Sequence, residues 1–392
     1  MIISKVRLIN WKNFREAEVR LAERIFVVGA NASGKSNFLD VFRFLRDIVK
    51  QAGGLQFAVE NRDGVSKIRC LSGGRIPGVT IEVHLADEST TNHNPRWKYL
   101  LSFKHSGGGI VRNQVSILEE RVFDGDKNKW ILERKSSDDK EDSETLRFTY
   151  LEQVNSNITF REIYHFFQEI QYLHIVPQLI RDSNSYQLSA NKEDFYGRNL
   201  LEKMNKTPER TRNSYLKLIN EFLQKSVPQL TNISFVKDKN GIPHLEAIYE
   251  HWRAKGAKQR EGQFSDGTLR LIGFMWALLD TQGTFLLEEP ELYLHSAIVR
   301  LLPEFISKLQ RRKGKVRQVI ISTHSYEILS NEGISGDETI VLIPTVEGTE
   351  IKLAMEIEEI KSFLGAGFNM AEAVIPRIAP KEIHKILKIQ SN

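Results

Sequence analysis

The stretch Ile25-Phe26-Val27-Val28-Gly29-Ala30-Asn31-Ala32-Ser33-Gly34-Lys35-Ser36 decides the fold. Ile25 to Val28 form a short apolar run, the pattern of a strand buried on both faces. Gly29 to Ser36 then fit G-x-x-x-x-G-K-[ST], and directly afterwards the pattern becomes helical. Phe38, Val41, Phe42, Leu45 and Ile48 fall on one helix face, with Asp40, Arg43, Asp47 and Lys50 on the other. In a strand–loop–helix unit of this kind the glycines let backbone N–H groups wrap a phosphate, and the helix N-terminus adds a favourable dipole. Lys35 would reach the β- and γ-phosphates, and the Ser36 hydroxyl would bind Mg²⁺.

Upstream, Ile2 to Asn10 alternate as a half-buried strand, with Val6 and Leu8 inward and Lys5 and Arg7 outward. A second strand near Glu18–Leu21 is expected to pair with it across a Lys12–Asn13 turn. Downstream, strands are expected near Val79–Leu85, Tyr99–Lys104 and Val115–Phe123. Lys135–Glu144 is charged and polar and reads as a mobile loop. Residues 157–227 read as mostly helical, with amphipathic pieces at Phe160–Ile170 and Thr211–Lys225, and strands return near Ile233–Val236 and Leu245–Tyr249. The last part alternates: helix Asp266–Asp280, strand Thr284–Leu287, helix Ser296–Leu309, strand Val316–Ser322 and strand Thr339–Ile343. Such alternation argues for an α/β core with a parallel sheet. The organisation expected is an N-terminal lobe over 1–125, an insertion over 126–260, a C-terminal lobe over 261–345 and an extension over 346–392.

Glu288-Glu289 close the strand Thr284–Leu287. A carboxylate there can hold a phosphate-bound Mg²⁺, and its neighbour can orient and deprotonate an attacking water. Glu288 is assigned to the metal and Glu289 to the water, although two adjacent glutamates leave the division of labour open. Gln263-Phe264-Ser265-Asp266-Gly267-Thr268-Leu269-Arg270 lie one helix earlier, with Ser265 a good N-cap for an apolar helix. This is a second phosphate-binding helix N-terminus in one chain. Two such elements make sense if the Lys35 loop of one subunit faces the Ser265 helix, with Gly267, of another. Leu71-Ser72-Gly73-Gly74 imitates that signature, but Arg75-Ile76-Pro77-Gly78 cannot start an apolar helix, so it reads as a turn. Ser322-Thr323-His324-Ser325 ends a core strand, where His324 can contact a γ-phosphate and the attacking water.

The 392 residues, 41% hydrophobic and 27% charged, suffice for a large core. A net charge of +5 permits a local nucleic-acid contact without demanding one. The one cysteine, Cys70, excludes an internal disulfide framework and a cysteine-rich zinc site, and reads as a small buried hydrophobe. The opening MIISKVRLINWKNF is unlike a signal peptide, and no run of about 18 apolar residues suggests a membrane span. The expectation is a soluble, cytoplasmic protein.

With these elements in this order, the chain resembles the ABC-class ATPases of the SMC/RecF/OLD group. It looks most like stand-alone bacterial RecF-like AAA-type ATPases of phage-defence and mobile-element operons. The resemblance rests on Leu8–Phe14 (LINWKNF), the Gly29–Ser36 loop, Phe195–Leu201 (FYGRNLL), Phe264–Arg270 (FSDGTLR), Leu287–Leu294 (LEEPELYL) and Ser322–Ser325. It implies an α/β, ABC-type P-loop ATPase head with a mixed-β N-terminal lobe, a parallel-sheet core and a short helical insertion. It also implies ATP and Mg²⁺ as cofactors, and Arg15 as the basic residue that touches the nucleotide phosphates. The family's glutamine loop is not placed: Gln51, Gln56, Gln114 and Gln178 all remain open. Glu288 stands where ABC ATPases usually carry aspartate, as in the OLD-like branch. Long SMC-type coiled coils are not seen, and the roughly 50 residues after Thr339 leave no room for a Toprim nuclease domain.

The weaker signals are basic or apolar. His251–Arg260 (HWRAKGAKQR) would suit phosphate-backbone contact or a solvated loop, and Arg311–Lys315 suits a helix C-terminus. Phe363–Met370 is apolar and glycine-bearing, suited to dock on the core or on a partner. The function expected is an ATPase that dimerises head to tail around ATP and couples this to a nucleic acid or an effector protein, in bacterial anti-phage defence. The alternatives are a weakly hydrolysing, nucleotide-gated scaffold holding a partner nuclease or toxin, and a RecF-like DNA repair or recombination mediator. The partners implied are a second copy or a larger assembly, a separately encoded effector such as a nuclease, and DNA; no membrane is implied.

Overall fold

The structure is a computed structural model that describes residues 1–74, 78–87, 95–106, 114–137, 142, 144–181, 194–250, 256–280, 283–311 and 317–379. The chain forms two compact units, each assembled from separate pieces of sequence. The first holds residues 1–171, 282–286 and 310–392, and the second holds residues 172–281 and 287–309.

The first unit opens with β1 (Ile2–Trp11) and β2 (Phe14–Arg20), antiparallel with Trp11 opposite Phe14 across the expected Lys12–Asn13 turn. β3 (Arg24–Val28) is buried along its whole length and leads through the glycine loop into α1 (Lys35–Val49). Two short helices follow, α2 (Leu55–Glu60) and α3 (Val65–Ile68). Then come β4 (Val79–Ala86), β5 (Trp97–His105), β6 (Val115–Asp124) and β7 (Lys129–Lys135). These strands join β1 and β2 in a sheet of order β2-β1-β4-β5-β6-β7, which continues past residue 125. α4 (Arg161–Gln168) and β8 (Gln171–Leu173) complete the stretch. Helix α1 packs on this sheet through aromatic rings: Trp11 meets Phe44 edge-on at 5.3 Å, and Phe44 stacks on Phe103 at 5.3 Å.

The polar face of α1 departs from its amphipathic reading. Asp40 and Asp47 are buried. The Arg62 guanidinium, from the segment after α2, donates to both Asp40 oxygens at 2.8 Å and to Asp47 Oδ2 at 2.9 Å. Lys12 adds an ion pair to Asp40 at 2.6 Å. Burial alone would raise the Asp40 carboxyl's pKa, but Arg62 and Lys12 outweigh it and hold it well below the usual carboxylate range. The helix is thus enclosed on both sides, and its second face is an ion-paired core rather than a solvated surface.

The second unit contains α5 (Pro177–Arg181), α6 (Leu200–Lys206) and α7 (Glu209–Ser226). A small sheet of β9 (Leu230–Lys237), β10 (Pro243–Tyr249) and β11 (Ala257–Arg260) follows, with β10 central. Next come α8 (Asp266–Asp280), β12 (Phe285–Glu288) and α9 (Ser296–Gln310). Helix α8 is apolar nearly all round and buried; Trp276 packs edge-on against Tyr215 of α7 at 5.3 Å. The boundary between the units falls inside β8, β12 and α9.

The chain re-enters the first unit with β13 (Val319–Thr323), α10 (Tyr326–Leu329), β14 (Thr339–Thr345), β15 (Gly348–Leu353), α11 (Glu358–Gly365) and α12 (Met370–Ile378). The central sheet runs β15-β14-β3-β13-β12-β8. β3 lies parallel to both β13 and β14, as the alternating pattern implies. β15 is an antiparallel partner of β14. Leu71–Gly74 is a turn, and Cys70 is a buried free thiol. Phe363 and Phe368 lie against each other at 5.2 Å and stay partly exposed, while Met370 is buried. Residues 75–77, residues 251–255 of the basic run, residues 312–315 of the second basic cluster and most of the loop at 138–143 lie outside the described residues. No helix among the described residues is long and apolar enough to cross a membrane.

Candidate functional site

In the first unit the Gly29–Ser36 loop joins β3 to α1. Gly34 is the N-cap of α1 with φ 103°, a conformation open to glycine without a Cβ clash. A Cβ at Gly34 would also fall 2.1 Å from Asn13 Nδ2. Ala32 takes φ 62°, a left-handed conformation that costs a non-glycine residue on the order of 1 kcal/mol. The loop is therefore held in a shape that its local sequence does not prefer. Lys35 is buried and turns its Nζ back into the loop, donating to the Gly29 and Ala30 carbonyls at 2.9 and 3.1 Å. Asn31 and Ser36 face solvent. The Ser33 hydroxyl is buried and has no hydrogen-bond partner among the described residues.

His324 follows β13, whose Thr323 is in register with Val28 of β3. His324 and Gly29 thus leave neighbouring parallel strands at their carboxyl ends, where ligands of open α/β sheets bind. His324 is exposed, and Ser325 behind it caps α10 by accepting from the Ile328 N–H at 3.2 Å. Arg15 is ion-paired with Glu347 of the β14–β15 hairpin.

The second unit carries the two glutamates and the Ser265 helix. Glu288 ends β12 and is half-buried. The Tyr172 hydroxyl donates to its Oε2, and His174 Nδ1 lies 3.3 Å from its backbone carbonyl. Glu289 has φ 44°, and its carbonyl accepts from the buried Arg270 Nη2 at 2.6 Å. Arg270 also donates to the Ile175 carbonyl at 2.7 Å; its burial lowers the guanidinium pKa against the pull of Glu291, Tyr293 and Glu289. An off-region φ at a residue so anchored is strain that the surroundings impose, common where chemistry is done.

Ser265 is exposed and caps α8, its Oγ accepting from the Thr268 N–H at 3.2 Å. A Cβ on Gly267 would meet the Tyr293 carbonyl oxygen at 2.6 Å, so only glycine lets the segment after Glu289 lie across the start of α8. Gln178 donates to Asp266 Oδ2 at 2.8 Å, and Arg181 pairs with the same carboxylate at 2.5 Å. Of the four glutamines left open, Gln178 is the one that reaches this helix start; Gln56 instead accepts from the Val115 N–H at 3.2 Å.

Lys35, Ser36, Arg15 and His324 belong to the first unit, and Glu288, Glu289, Ser265 and Gly267 to the second. Sequence reasoning missed Tyr172, Arg181 and the brace at Asn13. Asn13 and Arg270 lay inside quoted motifs without a role, whereas nothing in the pattern around Tyr172 marked it out. Among the described residues no group of three or more His, Cys, Asp or Glu could hold a metal. The oxygen donors of Ser36 and Glu288 are of the kind that suits Mg²⁺.

A family profile described as "AAA domain, putative AbiEii toxin, Type IV TA system" matches residues 24–330. No curated protein matches the chain. Among solved structures the chain is similar to the SMC head domain from Thermotoga maritima, at 13% identity, covering 90% of this chain and 99% of that one with a TM-score of 0.45. It is similar to the SmcHead bound to the C-winged helix domain of ScpA, at 13% identity, 91% and 100% coverage and a TM-score of 0.47. A third is the Smc head domain with an extended coiled coil bound to the C-terminal domain of ScpA from Pyrococcus furiosus, at 12% identity, 93% and 99% coverage and a TM-score of 0.42. The family profile runs from β3 through the glycine loop, the start of α8, the paired glutamates and His324, so the chain belongs to this AAA-domain family.

Proposed function

We propose that the chain binds ATP on the Gly29–Ser36 loop, hydrolyses it, and completes its site with a second copy arranged head to tail. The observation that supports this best is that each unit presents its own phosphate-type helix start to solvent. α1 does so with Ser36 exposed beside Lys35, and α8 with Ser265 exposed as its cap. A helix N-terminus attracts anions through its unpaired N–H groups and its dipole.

Lys35 is held ready by two loop carbonyls and exchanges them for phosphate oxygens when the nucleotide arrives. His324, beside Gly29 at the sheet's carboxyl end, contacts the terminal phosphate. Glu289 orients the attacking water and accepts its proton. Ser36 and Glu288 would hold Mg²⁺, which would supply charge neutralisation at the phosphates. Arg15 leaves Glu347 to reach the nucleotide.

The closed pair would transmit its state to an effector protein or a nucleic acid, because it differs from the open state in its affinity for ATP. The family description names a toxin of a type IV toxin–antitoxin system, which is in keeping with a role in bacterial defence. The test is the mass in solution with and without ATP and Mg²⁺, for the wild type and Glu289→Gln. ATP-dependent pairing, stronger in the variant, is expected. A mass indifferent to ATP in both proteins contradicts the shared site.

A further inference from the structure

The β14–β15 hairpin turns at Val346-Glu347 and sets Thr349 directly against the phosphate loop. The Thr349 hydroxyl donates to the Ser33 carbonyl at 2.9 Å and accepts from Asn13 Nδ2 at 2.7 Å. The Thr349 N–H donates to the Asn13 carbonyl at 2.7 Å. Asn13 Nδ2 also reaches the Ser33 carbonyl at 2.9 Å, and Asn13 Oδ1 accepts from Asn37 Nδ2 of α1 at 2.9 Å. One loop carbonyl, that of Ser33, thus takes donors from two distant parts of the chain. Thr349 is 6% exposed, so water competes weakly for these bonds.

The approach is close on both sides. A Cβ at Gly348 (φ 133°) would fall 2.6 Å from the Asn13 carbonyl oxygen, and a Cβ at Gly34 would strike the Asn13 amide. Outside this contact the turn is tied down again, by the ion pair of Glu347 with Arg15 and by the Ser72 hydroxyl donating to the Glu347 carbonyl.

The peptide plane makes this arrangement consequential. In a trans peptide the C=O of residue 33 and the N–H of residue 34 point in opposite directions. Anchoring the Ser33 carbonyl on Asn13 and Thr349 therefore aims the Gly34 N–H away from those two residues. We propose that Thr349, with Asn13, is a positioning residue of the nucleotide site: it fixes the Ser33–Gly34 peptide so that the Gly34 N–H is presented to phosphate. The inference rests on the ATP reading above and adds a residue C-terminal to every motif that carries that reading.

Thr349→Val keeps the β-branched shape and removes the hydroxyl, whereas Thr349→Ser keeps the hydroxyl. Binding of a fluorescent ATP analogue is titrated for both, beside Lys35→Ala, with thermal unfolding of each protein without nucleotide. Thr349→Val is expected to weaken binding by roughly tenfold, the loss of a buried hydrogen bond, while Thr349→Ser binds within about twofold of wild type. The melting temperatures of the two are expected to stay close. Thr349→Val binding like wild type while Lys35→Ala loses binding overturns the positioning role and leaves the ATP reading standing. Equal losses in the Val and Ser variants, in step with lost stability, also overturn it, since the role is then structural. Lys35→Ala binding like wild type overturns the ATP reading and this inference with it. Should Thr349→Val fail to fold, Thr349→Ala is read in the same way.

Discussion

The Tyr172 hydroxyl donates its hydrogen to the Glu288 carboxylate, at the junction of β8 and the carboxyl end of β12. A carboxylate tied through one oxygen keeps the other in a fixed direction, which a metal donor needs. Tyr172 packs edge-on against Phe195 at 5.5 Å, so the phenol is itself held. Tyr172→Phe removes only the hydroxyl. It is expected to lower ATP turnover by roughly tenfold and raise the Mg²⁺ concentration needed for half-maximal rate, the scale of one hydrogen bond to a charged group. Turnover titrated with Mg²⁺ checks this; an unchanged Mg²⁺ dependence contradicts it.

The two motif glycines are expected to fail differently. Gly34→Ala sets a Cβ against Asn13 at 2.1 Å and forces a left-handed φ, so ATP binding is expected to be lost. Gly267→Ala sets a Cβ 2.6 Å from the Tyr293 carbonyl oxygen, a backbone atom that yields only by moving the chain. Hydrolysis is expected to fall at least tenfold while binding to the Lys35 loop persists, in the manner of a lost transition-state contact. Parallel binding and turnover measurements separate the two.

Buried ion pairs give a stability prediction. Asp40→Ala leaves Arg62 buried with Asp47 as its remaining carboxylate among the described contacts, and breaking such a pair costs on the order of 3–5 kcal/mol. Because Asp40 titrates far below its unfolded value, its contribution is present at neutral pH and lost as the pH falls below the usual carboxylate range. Denaturant unfolding at pH 7 is expected to show the loss, and the gap to wild type should narrow in acid.

Glu120 has the opposite sign. It is buried in the first sheet, and burial pushes its pKa from 4.5 up to about 7. The N–H groups of Tyr150 and Leu151, the Tyr99 hydroxyl and Arg134 offset only part of that shift. Between pH 4.5 and about 7 the unfolded chain releases this proton while the folded chain keeps it, so stability falls as pH rises and then levels off. Glu120→Gln cannot ionise. Its unfolding free energy relative to wild type is expected to shift in its favour from pH 5 to pH 7.5, whatever the absolute cost of the amide. A constant difference across that range contradicts the raised pKa.

Much of the fold was legible because chemistry and pattern coincide at a few places. The apolar run Ile25–Val28 and the glycine loop located β3 and α1, and Ser265 marked the start of α8 at the residue observed. What stayed hidden depended on distant partners. Asp40 and Asp47 read as solvent-facing because Arg62, which encloses them, comes after an intervening helix. β7, β11 and β15 are edge strands, and the four residues of β11 (AKQR) carry no apolar alternation that would reveal a strand. Tyr172 belongs to a three-residue strand with no motif, and only the folded chain sets it on Glu288. Thr349 lies where no motif pointed, and its contact with Ser33 spans almost the whole sequence.

The most direct test of the account mixes two inactive proteins. Lys35→Ala removes the loop cation and Ser265→Arg blocks the start of α8, so each is expected to lose ATP turnover alone. If one copy's loop works against the other copy's helix, a mixed pair holds one intact site, and an equal mixture regains roughly a quarter of wild-type turnover. A mixture as inactive as its components contradicts the shared site, and would mean that the loop and the α8 start serve within a single chain.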